Sequence, residues 1–139
     1  MAAELHQQGL QALLETYFRG STQPSTLYVG LAEDTSLAEG ATLSSVTEVS
    51  GSGYSRQSLT CNSSGWVTSE DAGSGDWRVV SAQVTFTASG TWSTARTVFV
   101  TNVASGTSGI LIASGPLSVE RTLGNGDQLK VTITITLQG

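Results

Sequence analysis

The stretch Asp127-Gln128-Leu129-Lys130-Val131-Thr132-Ile133-Thr134-Ile135-Thr136-Leu137-Gln138 decides the fold. In an extended chain Leu129, Val131, Ile133, Ile135 and Leu137 fall on one side, and Gln128, Lys130, Thr132, Thr134, Thr136 and Gln138 on the other. Period-two alternation of this kind marks an antiparallel strand with one face in a core and one polar face. Each apolar side chain contributes roughly 1.5–3 kcal/mol on full burial, so the strand requires an apolar layer against it. Just upstream, Gly124-Asn125-Gly126-Asp127 sets Asn-Gly between two alternating segments, which is a hairpin signal.

Working outward, Val80, Ala82, Val84 and Phe86, opposed by Ser81, Gln83, Thr85 and Thr87, form a second clean alternation and the candidate inward-facing match for the last strand. Residues 96–103 and 110–113 are apolar on both faces in part, as central strands are, or strands covered by a neighbour. A short strand from Leu117 to Leu123 follows the break at Gly115-Pro116. Nearer the start, Leu27, Val29 and Leu31 share one face of a strand over 26–32, and a Gly-punctuated turn, Gly51-Ser52-Gly53, feeds a strand through Gln57 to Cys61. The polar run from Glu33 to about Thr47 is long for a connection, so it is a functional surface loop or conceals an element. After the short segment Trp66-Val67, Glu70-Asp71-Ala72-Gly73-Ser74-Gly75-Asp76 is a flexible tract. Six to eight short strands with hairpin turns and no helices between them predict an all-β fold, an antiparallel β-sandwich or jelly roll.

One helix is predicted, over 3–19. Its Leu10, Leu13, Leu14, Tyr17 and Phe18 recur at i, i+3, i+4, i+7 and i+8, Glu15 and Arg19 are spaced for an i, i+4 pair, and Gly20 is the stop. Gly9 weakens this helix by roughly 1 kcal/mol relative to Ala, so its apolar stripe must pack against its own domain or a neighbouring subunit. The organisation is therefore a single domain over 1–139, with a helical segment 1–20 and a β-sandwich over 26–139.

Composition restricts the function classes. At 139 residues the chain can bury a core without disulfides or metals. Charged residues are 12% of it, against a usual share of about 25%, while 20 Ser and 19 Thr cover the surface with hydroxyls. The net charge is −5, and Arg19, Arg56, Arg78, Arg96, Arg121 and Lys130 never cluster, which argues against direct nucleic-acid binding. No run approaches the ~18 apolar residues that cross a bilayer, and no basic region followed by an apolar run opens the chain, so neither membrane insertion nor a secretory signal is expected. Cys61, the one cysteine, has no disulfide partner within the chain and reads as a small core hydrophobe.

Several segments resemble a family of small tailed-bacteriophage virion proteins, tail-fibre-like or head-decorating. The likeness lies in the leading helix with Leu13-Leu14, in Leu27-Tyr28-Val29-Gly30-Leu31, in Thr47-Glu48-Val49-Ser50-Gly51-Ser52-Gly53-Tyr54-Ser55-Arg56, and in Asn125-Gly126-Asp127-Gln128-Leu129. The Thr-Glu-Val-Ser-Gly-x-Gly-Tyr-x-Arg string is its most specific part. Where relatives commonly continue the first strand with Phe-Thr, this chain has Ala32-Glu33-Asp34 and a longer loop. The resemblance implies a structural role in the virion.

No catalytic, cofactor-binding or metal-binding residues are assigned. His6, the only histidine, reads as an exposed helical residue, remote along the chain from the loops a triad would need. Glu33-Asp34 and Glu70-Asp71 are adjacent in sequence, which does not set the carboxylate separation of a glycosidase, so they read as solvated loop charge. Asp71 and Asp76 match no EF-hand spacing, and Gly73-Ser74-Gly75 lacks the lysine and the strand-to-helix setting of a phosphate loop. Trp66, Trp77 and Trp92 suit either a sugar-stacking platform or core and subunit anchors, and the second is favoured.

The expected function is that of a non-enzymatic capsid decoration, or cement, protein on the phage head. It would bridge the major capsid protein as a homotrimer or homodimer, with Leu10, Leu13, Leu14, Tyr17, Phe18, Tyr54 and Arg56 and the doubly apolar strands as contacts. The alternative is a tail-fibre or receptor-binding module, with tail proteins or host glycan as partners.

Overall fold

A computed structural model describes residues 1–71 and 73–138. Ala72, part of the predicted flexible tract, lies outside them. The strands are β1 (Ala2–Leu5), β2 (Thr26–Ala32), β3 (Gln57–Thr60), β4 (Trp66–Glu70), β5 (Trp77–Ser81), β6 (Val84–Thr87), β7 (Ala95–Thr101), β8 (Leu111–Arg121), β9 (Gln128–Val131) and β10 (Thr134–Leu137), with one α-helix, α1 (Gln7–Phe18). Eight strands form a sheet in the order β3-β2-β7-β8-β1-β10-β5-β4, and β6 and β9 pair separately. Every pairing is antiparallel except that of β1 with β10. The two edges of the eight-strand order, β3 and β4, are consecutive in the chain and joined by the turn 61–65, so the sheet curls until it nearly closes into a barrel. The all-β architecture with one N-terminal helix is as expected, and the two layers of its core belong largely to one curled sheet.

The closing stretch keeps its predicted faces but not its continuity. Leu129, Val131, Ile133 and Ile135 are buried, whereas Leu137 is exposed. Between β9 and β10 the chain bends at Thr132-Ile133, and between β5 and β6 it bends at Ala82-Gln83. The bends are tied together: Ser81 N–H donates to the Ile133 carbonyl (2.8 Å) and Ile133 N–H to Ser81 Oγ (2.9 Å). The two alternating stretches are thus hydrogen-bonded neighbours that change sheet together, not facing layers. The inward face also shifts at Ser81, so Val80 is only half-buried and Ala82 is exposed while Val84 and Phe86 are in the core.

Phe86, Leu31, Val29, Val98, Val100 and Ile133 fill the barrel interior. Phe99, Leu111, Ala32 and Leu43 form a second apolar cluster on the outer side of β2, β7 and β8. The polar run after β2 covers it: a 3₁₀ turn at Leu43–Ser45 drops Leu43 onto Phe99, and Glu33 N–H to the Thr47 carbonyl closes the loop at 2.8 Å. This long connection is therefore a lid over its own core, and the neighbour that buries the second face of β7 and β8 is a segment of the same chain rather than another molecule.

The predicted helix over 3–19 is shorter, because residues 2–5 form β1, slotted between β8 and β10. Ala-Glu-Leu favours helix by propensity, and pairing with the two ladder edges of β8 and β10 overrides it. His6 is the N-cap of α1 and is buried, which overturns its reading as an exposed helical residue. Its Nδ1 lies 3.1 Å from the Glu39 carbonyl, which can only accept, so Nδ1 donates there, and Nε2 is hydrogen-bonded to Ser114 Oγ at 2.6 Å. Gly20, with φ +74°, ends the helix as expected, with Ser21 N–H reaching back to the Glu15 carbonyl. Glu15 is engaged by Gln11 Nε2 (3.1 Å) instead of by Arg19.

Candidate functional site

The orientation of α1 defines the candidate site. An amphipathic helix on a globular domain ordinarily turns its apolar stripe inward. Here Gly9 is the buried residue of the helix, pressed against the Ile112 carbonyl of β8, and Gln8 Oε1 accepts the Leu111 N–H at 2.9 Å. The small and polar face therefore docks, and Leu10, Leu13, Leu14, Tyr17 and Phe18 are left exposed. Tyr17 is 83% and Phe18 75% exposed, their rings in an edge-to-face contact at 5.2 Å.

Beside this stripe the barrel is incompletely filled. A cleft of about 500 Å³ opens at the end of β4, β5 and β10, walled by Trp66, Trp77, Val79, Ile135 and Leu137 and bordered by Leu13 of α1. Trp77 is 57% exposed at its mouth. Cross-strand register explains the wall: Leu137 stands opposite Trp77, Ile135 opposite Val79 and Ser81 opposite Trp66. Cys61 also lines the cleft, and burial pushes its thiol pKa up, so it behaves as an apolar wall residue. Trp66 Nε1 is buried without a hydrogen-bond partner among the described residues, a deficit of about 1–3 kcal/mol in the isolated chain.

Tyr54 and Arg56 lie elsewhere, inside the fold. Arg56, its side chain 4% exposed, grips both Glu48 carboxylate oxygens at 2.9 Å, donates to the Val103 and Gly106 carbonyls at 2.9 Å, and lies over the Phe99 ring at 5.3 Å. Tyr54 donates to Glu48 Oε2 at 2.7 Å and accepts the Leu31 N–H at 2.9 Å. Burial, reinforced by the Glu48 carboxylate, raises its hydroxyl pKa far above the ordinary value. Gly53 takes φ +84°, which an L side chain resists, and Gly51 lets Trp92 approach so that its Nε1 donates to the Ser52 carbonyl at 2.7 Å. The Thr47–Arg56 string thus clamps its own connection onto the outer core cluster.

The remaining sequence candidates separate. Trp92 is in the core, so the three tryptophans form no common platform; Trp66 and Trp77 share the cleft. Asp34 Oδ2 accepts the Thr47 N–H at 2.8 Å, which makes it a loop fastener, and Asp71 pairs with Arg78 at 3.5 Å. Among the described residues no group of three or more His, Cys, Asp or Glu is placed to hold a metal, and no helix is long and apolar enough to cross a membrane.

The family model for Podophage GP4 fiber I protein gp80 matches residues 5–137. The chain belongs to this family. The gp80 fibre family is a phage virion structural family, as the resemblance implied, and its match runs from the end of β1 to the end of β10, across both the helix and the cleft. No curated protein matches the chain. The outward stripe is legible in the sequence, but the cleft is not: its walls come from five separate strands and acquire meaning only from their register.

Proposed function

We propose that this chain is a non-enzymatic structural subunit of a bacteriophage tail fibre, assembled with copies of itself. The observation that carries this reading is the outward apolar face of α1 on a chain that a fibre family matches over 5–137. An exposed apolar face of this kind marks a contact surface, and a repeating assembly covers it in every copy. The match supports the fibre alternative over capsid decoration. The doubly apolar strands, which decoration would have offered to the capsid, are already covered by the 33–47 segment. Nor does the cleft favour glycan: its wall is almost wholly apolar and offers sugar hydroxyls few polar partners.

The test is quantitative mass spectrometry of purified virions combined with immunogold labelling. A few to a few dozen copies, with gold at the tail, is the expected result. Hundreds of copies with gold over the head would restore the decoration reading. Incubation with host capsular polysaccharide should release no new reducing ends.

A further inference from the structure

We propose that Tyr17 and Phe18 of one copy seat in the Trp66–Trp77 cleft of a second copy, so that each chain carries both halves of its own assembly contact. This deepens the fibre reading and rests on it. Three observations select a second copy as the occupant.

The first is area. An aromatic residue exposes on the order of 200 Å² when free, so Tyr17, Phe18 and Trp77 together offer roughly 400 Å². That is about half of the ~800 Å² per partner that a stable interface buries. Leu10, Leu13, Leu14 and Leu137, all exposed, extend the same surface.

The second is continuity. Leu13 belongs both to the helix stripe and to the border of the cleft, so projecting aromatics and receiving cleft are one surface, and a single contact between copies covers both.

The third is chemistry. Among the described residues lining the cleft only Arg78 is charged, and it is paired with Asp71. An incoming apolar side chain therefore strands no charge.

The experiment is sedimentation of the full chain over a concentration series. It compares the wild type with a projection variant (Tyr17→Ser with Phe18→Ser), a cleft variant (Trp77→Ser) and a control at another exposed apolar site, Val119→Ser. All four positions are exposed, so each variant should keep the wild-type melting profile. The wild type is expected to self-associate, and the projection and cleft variants each to weaken association about tenfold or more, as loss of a central aromatic anchor does. Val119→Ser should leave it unchanged. Mixing the two defective variants should restore part of the association, because the intact aromatics of one meet the intact cleft of the other. A monomeric wild type, an oligomer indifferent to both variants, or a mixture that stays dissociated overturns the proposal. A wild type that is monomeric but whose tryptophan fluorescence shifts on adding a detergent or an oligosaccharide overturns it in favour of a small ligand. Tail labelling on virions together with a monomer in solution sinks this contact and spares the fibre reading. The converse result, head labelling with an intact contact, does the reverse.

Discussion

Arg56 shows how far a single residue reaches in this fold. Its guanidinium binds Glu48, the 103–106 segment and the Phe99 ring, so it ties the β2–β3 and β7–β8 connections to the outer core cluster. Replacement by Met leaves the Glu48 carboxylate, 29% exposed, beside an apolar side chain. The expected loss is about 2–4 kcal/mol, near the low end for breaking a buried pair because Glu48 keeps some water. Urea unfolding should show it as a lowered midpoint, and Arg56→Lys should recover only part, since an ammonium cannot grip both oxygens. Tyr54 adds a pH dependence of definite sign. Its folded pKa lies above the unfolded value near 10, so the folded state holds the proton more tightly. The stabilisation is complete below about pH 10 and falls as the pH rises beyond it. Urea midpoints measured between about pH 8 and pH 11.5 should therefore decline at the alkaline end, and Tyr54→Phe should start lower and flatten that decline. This clamp was within reach of the sequence, because Glu48 stands in the same string as Tyr54 and Arg56. His6 was not, since its partners Glu39 and Ser114 lie 33 and 108 residues away.

Among the elements, α1 sets intrinsic propensity against packing. Gly9→Ala should favour an isolated helix by roughly 1 kcal/mol. In the protein, an added Cβ would overlap the Ile112 carbonyl, which is backbone and cannot swing aside. Packing prevails, and the substitution is expected to destabilise by about 1–3 kcal/mol, with faster amide exchange in α1 and β8. Equal or greater stability would mean that the helix is not docked through Gly9. The same contact explains why the docking face was not legible in the sequence: a glycine scores as a flaw in helix propensity until the carbonyl it admits is known. Strand positions were more legible than strand partners. Alternation located the core residues of β6, β9 and β10, yet Ala82 fits either face, so nothing in its spacing betrays the shift at Ser81. Residues 2–5 read as helix because their alternative depends on two distant ladders, those of β8 and β10.

For the whole molecule, the sequence showed an apolar helix stripe and a charge-poor surface, and together these imply how assembly responds to salt. Every copy carries a net charge of −5, so approaching copies repel, while the contact surfaces are nearly uncharged. Raising the ionic strength from about 0.02 M to about 0.5 M shortens the screening length from roughly 20 Å to about 4 Å. The repulsion then fades, whereas apolar burial is retained or strengthened. Self-association should consequently tighten with salt, read as a falling dissociation constant by sedimentation. An interface built on Arg96 and Glu120, an exposed ion pair at 2.9 Å within each chain, would respond in the opposite sense if the pair exchanged partners between copies. The direction of the salt response therefore separates an assembly held by the α1 stripe and its cleft from one held by surface charge, and weakening with salt would rule out the apolar contact as its main support.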